Sequence, residues 1–281
     1  RNKQKQERII MADIDKQLHC ALDLFRRLPP SQLETNLSFV TELVPDLTDD
    51  LLQTVDCPLK TAVDPTNQKE YLLCDYNRDG DSYRSPFSNK YYPELPDGIL
   101  PPANLRKIEE QANAVFSGYC DAYYEGGISS IYVWEVDGGF ALAALFKKDG
   151  SGLRGVSKGV WDSIHVVEVV EKSDKVAQYS LTTTIILSMA ADSGNQLDLS
   201  GSIQRQEVTE ANFDKFNTHL VNIGNAVQKM ENYLRDQLQS VYFDKAREIT
   251  RTLRSPQSSK QRNQQTAMAN ELANALVNRR R

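Results

Sequence analysis

The segment Asp75-Tyr76-Asn77-Arg78-Asp79-Gly80 has the spacing D-x-N-x-D-G that opens a calcium-binding loop. That chemistry needs a bidentate carboxylate at the twelfth position and a helix on each side to aim the oxygens. Counting Asp75 as the first residue, the twelfth is Pro86, and Pro93 and Pro96 break any helix on the C-terminal side. The motif therefore reads as turn chemistry, in which Asn and Asp side chains bond their own backbone. Gly150, Gly152 and Gly155 match G-x-G-x-x-G, but a dinucleotide fingerprint must open a helix, and the residues after Gly155 are strand-like. His19, His165 and His219 fall in separate elements with no metal-ligand spacing. Asp162, Ser163 and His165 are close in the chain, yet strand alternation puts Asp162 on the opposite face from the other two. No nucleophile elbow, phosphate loop or zinc-protease motif occurs, so catalytic residues, metal ligands and cofactors are all expected to be none.

A different chemistry is written at the C-terminus. Met268, Leu272 and Leu276 recur at four-residue steps, and Val277 and neighbouring alanines widen the stripe. Such a short amphipathic helix is marginal alone in water, so the stripe must be buried in a partner's groove, on the protein itself or on a membrane surface. The segment 257–265 before it, QSSKQRNQQ, has no apolar residue and detaches it from the body. Residues 257–281 hold five cations against one carboxylate, a net of +4 within a chain of −5 overall. A basic tail on an acidic body argues for a partner of its own and against whole-chain nucleic-acid binding.

The elements that must carry this tail are set by periodicity. A chain of 281 residues with 40% hydrophobic content suits an ordinary globular core. Residues 1–12 read as a disordered extension, with Met11 a possible natural start. Over 13–57, Ile14, Leu18, Leu22, Phe25 and Leu28 form one helical stripe; a second helix begins at a Ser31/Glu34 capping box, and a third carries Leu47, Leu51, Leu52 and Val55. Proline turns between them predict an antiparallel three-helix stalk. A turn-rich connecting region occupies 58–100, and a helix occupies 101–127 with Leu105, Ile108, Ala112, Val115, Phe116, Tyr119 and Tyr123 on its inner side. Five β-rich runs over 128–208, joined by short turns, predict an antiparallel meander. A long helix over 209–255, striped from Phe213 to Leu234, is expected to cover one sheet face. Uncovered sheet edges invite a partner subunit. The last segment, 256–281, is the mobile tail. The fold class is α+β. The scattered Cys20, Cys57, Cys74 and Cys120 read as reduced thiols of a cytoplasmic protein.

ALDLFRRLPP (21–30), YLLCDYNRDGDSYRSPFSNKYY (71–92), EGGISSIYVWEVDGGFA (125–141) and WDSIHVVEV (161–169) closely resemble the β subunit of the F-actin capping protein family. Phe87 departs from the tryptophan common there but keeps an aromatic ring. The resemblance implies a non-catalytic, obligate heterodimer with a capping protein α subunit, the two sheets joining into one. It implies binding to the barbed end of actin filaments, blocking subunit addition and loss without severing. Met268, Leu272, Leu276 and Val277 would enter an apolar cleft on actin, and Arg279, Arg280 and Arg281 would meet its acidic surface. Arg235 matches a family patch for inhibitory regulators and phosphoinositides. Possible further partners are dynactin, CARMIL-type regulators, myotrophin and twinfilin, and the setting is the actin cytoskeleton. The alternative readings are a dynactin subunit capping an actin-related filament and a peripheral membrane-binding scaffold.

Overall fold

The computed structural model describes residues 2–150, 158–191, 197–214, 218–240 and 266–268. Two compact units divide the chain, residues 1–227 and 228–281.

The first unit begins with α1 (Asn2–Arg27), so the stretch expected to be an unstructured extension is helical from residue 2. Helices α2 (Leu33–Leu43) and α3 (Thr48–Thr54) complete the bundle, each entered through a proline-led 3₁₀ turn. Phe25, Leu33, Leu37, Leu47 and Leu51 form its core. The capping box expected at Ser31 does not form. Pro30 starts a 3₁₀ turn that takes in Ser31, and Gln32 occupies the cap position without a side-chain bond.

The connecting region carries more regular structure than its turn residues suggest. Strands β1 (Lys60–Val63) and β2 (Glu70–Leu73) pair as a hairpin, and β3 (Arg78–Asp79), β4 (Ser82–Arg84) and β5 (Tyr91–Tyr92) form a small antiparallel sheet. The calcium-like residues serve this backbone. The Cys74 N–H donates to Asn77 Oδ1 at 2.9 Å, Asn77 Nδ2 donates to the carbonyls of Leu72 and Arg84, and Asp79 accepts from the Ile99 N–H. Gly80 turns the chain at φ +57°.

After α4 (Ala103–Tyr123) come β6 (Ile128–Val136), β7 (Gly139–Asp149), β8 (Lys158–Ser173), β9 (Val176–Ala191) and β10 (Leu197–Asn212), paired antiparallel in the order β10-β9-β8-β7-β6. All five expected strands are present, in meander order. Register aligns Ile131, Ala144, His165, Thr183 and Arg205 across the sheet, and β-structure alternation gives this row and its neighbours one face. Phe116 and Tyr124 lie against Phe146 on that face. The opposite face is covered by the chain's own Leu59 and Leu72, packed with Tyr132, Leu145, Ile164 and Ile186. Asp162 points there, accepting from the Leu59 N–H and from Lys147 at 2.9 Å each. Ser163 and His165 point the other way, to Tyr124 and Thr183. The strand thus separates Asp162 from Ser163 and His165, as its alternation implies.

Edge strand β6 exposes backbone groups that another chain could pair. Asn113 meets both groups of Ile131, accepting from its N–H at 3.0 Å and donating to its carbonyl at 2.9 Å. Glu109 accepts the Val133 N–H at 2.9 Å. Two side chains of α4 therefore substitute for a neighbouring strand. This need turns the helix from its expected orientation. Its buried residues are Leu105, Glu109, Ala112, Phe116 and Cys120, whereas Val115 and Tyr123 lie outside.

Helix α5 (His219–Leu238) begins later than its apolar stripe predicts, because the Phe213 N–H is held by the Lys175 carbonyl at 2.9 Å. Its first turns belong to the first unit, with Ile223 and Val227 buried. The expected continuation beyond residue 240 lies outside the described residues.

Glu109 also receives two hydrogen bonds from Arg84, at 2.7 and 2.6 Å, and one from Arg106. Glu109 is fully buried and Arg84 nearly so. Glu109→Ala would leave the Arg84 guanidinium buried without its main counter-ion, and the expected loss of stability is about 3–5 kcal/mol. Chemical denaturation measures it; a loss under about 1 kcal/mol would contradict this account of the junction.

Candidate functional site

Of the tail residues selected by sequence, Met268 lies in a helical turn over 266–268 and is 69% exposed. Leu272, Leu276, Val277, Arg279, Arg280 and Arg281 lie outside the described residues. Arg235 sits in the last turn of α5, where its Nε donates to Glu231 Oε2 at 2.9 Å. Glu231 is fully buried and the Arg235 side chain is 37% exposed. The guanidinium is therefore oriented by a carboxylate one turn earlier while part of it faces solvent.

Two surfaces of the first unit stand out. On α2, Phe39 and Leu43, one turn apart and so on one side of the helix, are 59% and 80% exposed, and Leu52 on α3 is also exposed. The other is the outer side of β10. No strand pairs with it among the described residues, although it is 16 residues long, roughly 50 Å. Val208 on this strand is exposed. Whereas side chains of α4 bond the β6 edge, β10 lies against α1 and the turn Pro30–Gln32. The sequence signal for both features is weak: Phe39 and Leu43 lie off the inward stripe, and edge status depends on strand order.

A cavity of about 730 Å³ opens between the bundle and the connecting region, lined by Leu37, Val55, Asp56, Cys57, Cys74 and Asp75 among others. Burial, with the nearby Asp75 carboxylate, pushes the Cys57 thiol up to about 11; burial takes Cys74 to about 12. Both thiols stay protonated at neutral pH and make poor nucleophiles. Burial also raises the carboxyls of Asp56 and Asp162.

Asp64 behaves differently. Burial alone would raise it, but hydrogen bonds from Ser85, Ser88, the Thr66 N–H and Tyr92 outweigh that and bring it to about 2. This carboxylate ties the β1–β2 turn to the β4–β5 turn. Sequence reasoning overlooked it and Glu109. The one signal for Glu109 was a carboxylate standing four residues after Leu105 and three before Ala112, inside an apolar stripe.

The carboxylates of Asp64, Glu109 and Glu231 are occupied in holding elements together. A sequence model of the family described as F-actin capping protein, beta subunit, matches residues 18–250. A protein of Drosophila melanogaster called F-actin-capping protein subunit beta is 50% identical over 268 residues, covering 94% of this chain and 97% of that protein. Proteins of the same description from Dictyostelium discoideum and Arabidopsis thaliana are 49% and 48% identical, covering 94% and 85% of this chain and 99% and 96% of their own lengths. A solved structure of a homodimeric actin capping protein alpha subunit from Plasmodium berghei has a TM-score of 0.52 at 15% identity, covering 88% of this chain and 99% of that one, a likeness of fold.

The Asp64 cluster sets a pH dependence. Because the folded carboxyl is below its ordinary value near 3.8, its contribution is complete above that value and is lost as pH falls through about 2. Removing one donor with Ser85→Ala is expected to raise that carboxyl and weaken the acid resistance of the fold. Acid-unfolding curves that coincide for the two proteins would contradict this role.

Proposed function

The chain belongs to the F-actin capping protein β-subunit family, and from that premise we propose that it acts as the β half of a heterodimeric cap on actin filament barbed ends. The observation that carries this reading is the match at about half identity along 94% of the chain and nearly all of its relatives' length. The activity is binding: occupying the terminal subunits blocks both addition and loss, without catalysis or severing.

Two structural features support an α-subunit partner. Phe39 and Leu43 form an apolar strip on the stalk that another helix would bury, and the outer side of β10 offers backbone groups for a further strand. The partner strand would extend the sheet, and the partner stalk would cover α2. Aspartate at Leu43 would place a charge at that contact.

The tail supplies a second attachment. Met268, Leu272, Leu276 and Val277 would enter an apolar cleft on actin, with Arg279, Arg280 and Arg281 against acidic surface. Once the body is bound, engagement of the tail is intramolecular, so it slows dissociation rather than determining whether encounter occurs. Arg235, oriented through its Nε by buried Glu231 and part-exposed to solvent, would serve regulators or phosphoinositide headgroups. No helix among the described residues is long and apolar enough to cross a membrane, and the site of action we assign is the actin cytoskeleton of the cytoplasm.

Coexpression with an α subunit should yield a copurifying pair, and Leu43→Asp should reduce its recovery. Deleting residues 257–281 should leave the pair intact while weakening capping by roughly tenfold or more in a seeded polymerisation assay. Leu272→Asp with Leu276→Asp should have a similar effect. Unchanged capping by the truncated pair would remove the tail from the mechanism.

A further inference from the structure

At the root of α5, four residues form a hydrogen-bond chain whose direction is fixed by chemistry. Asn222 Nδ2 donates to the Asn212 carbonyl at 3.0 Å, and a carbonyl can only accept, so the amide nitrogen faces this way. The second hydrogen of that nitrogen goes to the Tyr179 hydroxyl at 2.9 Å. The phenolic oxygen is therefore an acceptor from Asn222, and its own hydrogen is directed to His219 Nδ1, 2.9 Å away. On the other side of the ring, Nε2 lies 3.4 Å from Glu171 Oε1, which calls for a hydrogen on Nε2. Each donor has an acceptor only when the imidazole is neutral and carries its proton on Nε2.

We propose that this relay is a proton-operated latch: neutral His219 closes the first turn of α5 on β9 through Tyr179, and protonation of Nδ1 opens it. Positions 219 and 222 are three apart and share a helix side, so one tyrosine grips the turn at two points. A proton on Nδ1 turns the ring into a second donor to the same oxygen. The Tyr179 hydrogen then loses its acceptor inside a site where the phenol is 1% exposed, an arrangement that costs more than the bond itself gains.

Among the described residues, the titratable or charged groups facing the ring are Glu171 from β8 and Tyr179 from β9. Phe140 and Phe213 supply apolar walls, with ring centroids at 5.6 and 4.2 Å. Glu171 favours the imidazolium, but its side chain is 53% exposed, where such pairs contribute little. Burial wins over that carboxylate and holds His219 below the usual histidine range. With a folded value below the unfolded one near 6.5, the latch is complete above that pH and fails as pH falls through the folded value. The device belongs to this chain's fold and does not depend on actin.

The test uses the full-length chain in its purified complex, labelled with ¹⁵N-histidine. Nitrogen spectra should show His219 as the Nε2–H tautomer at about pH 7.5, protonating below the ordinary histidine value near 6.5. Amide exchange over residues 219–223, corrected for its intrinsic pH dependence, should be roughly fivefold faster below the pH at which the nitrogen spectra show His219 protonating than at about pH 7.5. In Tyr179→Phe it should be fast at both. An Nδ1–H tautomer at neutral pH, or corrected exchange that is flat in the wild type, would overturn the latch. Slower exchange in acid that Glu171→Gln abolishes would also overturn it, by showing that the ion pair dominates. The wild-type pH series decides the question even if Tyr179→Phe does not fold.

Discussion

The fold depends on where the carboxylate of Glu109 is spent. One side chain accepts two bonds from Arg84, one from Arg106 and one from the backbone of Val133. It thereby ties the small sheet of the connecting region, helix α4 and the β6 edge to a single point. A buried charge is tolerable only when its partners are this complete. With Asn113 serving Ile131 beside it, the same helix closes the β6 end of the sheet.

Periodicity made the larger architecture legible. Runs such as ISSIYVWEV and VAQYSLTTTIILSMA announce strands because β-branched residues alternate between faces that are both covered, and the short turns between them permit only antiparallel pairing. What remained hidden were places where polar residues do structural work. Glu109 in an apolar stripe has no meaning until the unpaired β6 backbone is set beside it. Ser31 loses its expected capping role because Pro30 begins a tighter turn one residue earlier. The stretch 60–92, dense in turn residues, holds two small sheets braced by Asn77, which donates to the Leu72 and Arg84 carbonyls, and by Asp64, which accepts from the Ser85 hydroxyl.

The candidate site was legible in a different way. The tail's stripe and charge come directly from residue spacing, and they suggest a detachable anchor without identifying what it grips. The proposal that the target is actin rests on the resemblance to the family. Arg235 was selected only by resemblance, and its pairing with buried Glu231 shows a residue with both a structural bond and an outward face. The polar stretch that imitates a calcium loop is one of those that carry the resemblance to the family. Its acidic and amide groups hold backbone together, and its identity value comes from packing constraints.

Body and tail then have separate tasks. In the function proposed above, the body, braced at Glu109, would present the stalk strip and the β10 edge to an α subunit, and the tail would add a second hold on the filament. The most direct measurement is of single actin filaments growing in the presence of the full-length chain copurified with an α subunit. Growth should stop at barbed ends and continue at pointed ends, without breakage along the filament. Barbed ends that elongate at an unchanged rate while the pair is present in excess would contradict the account.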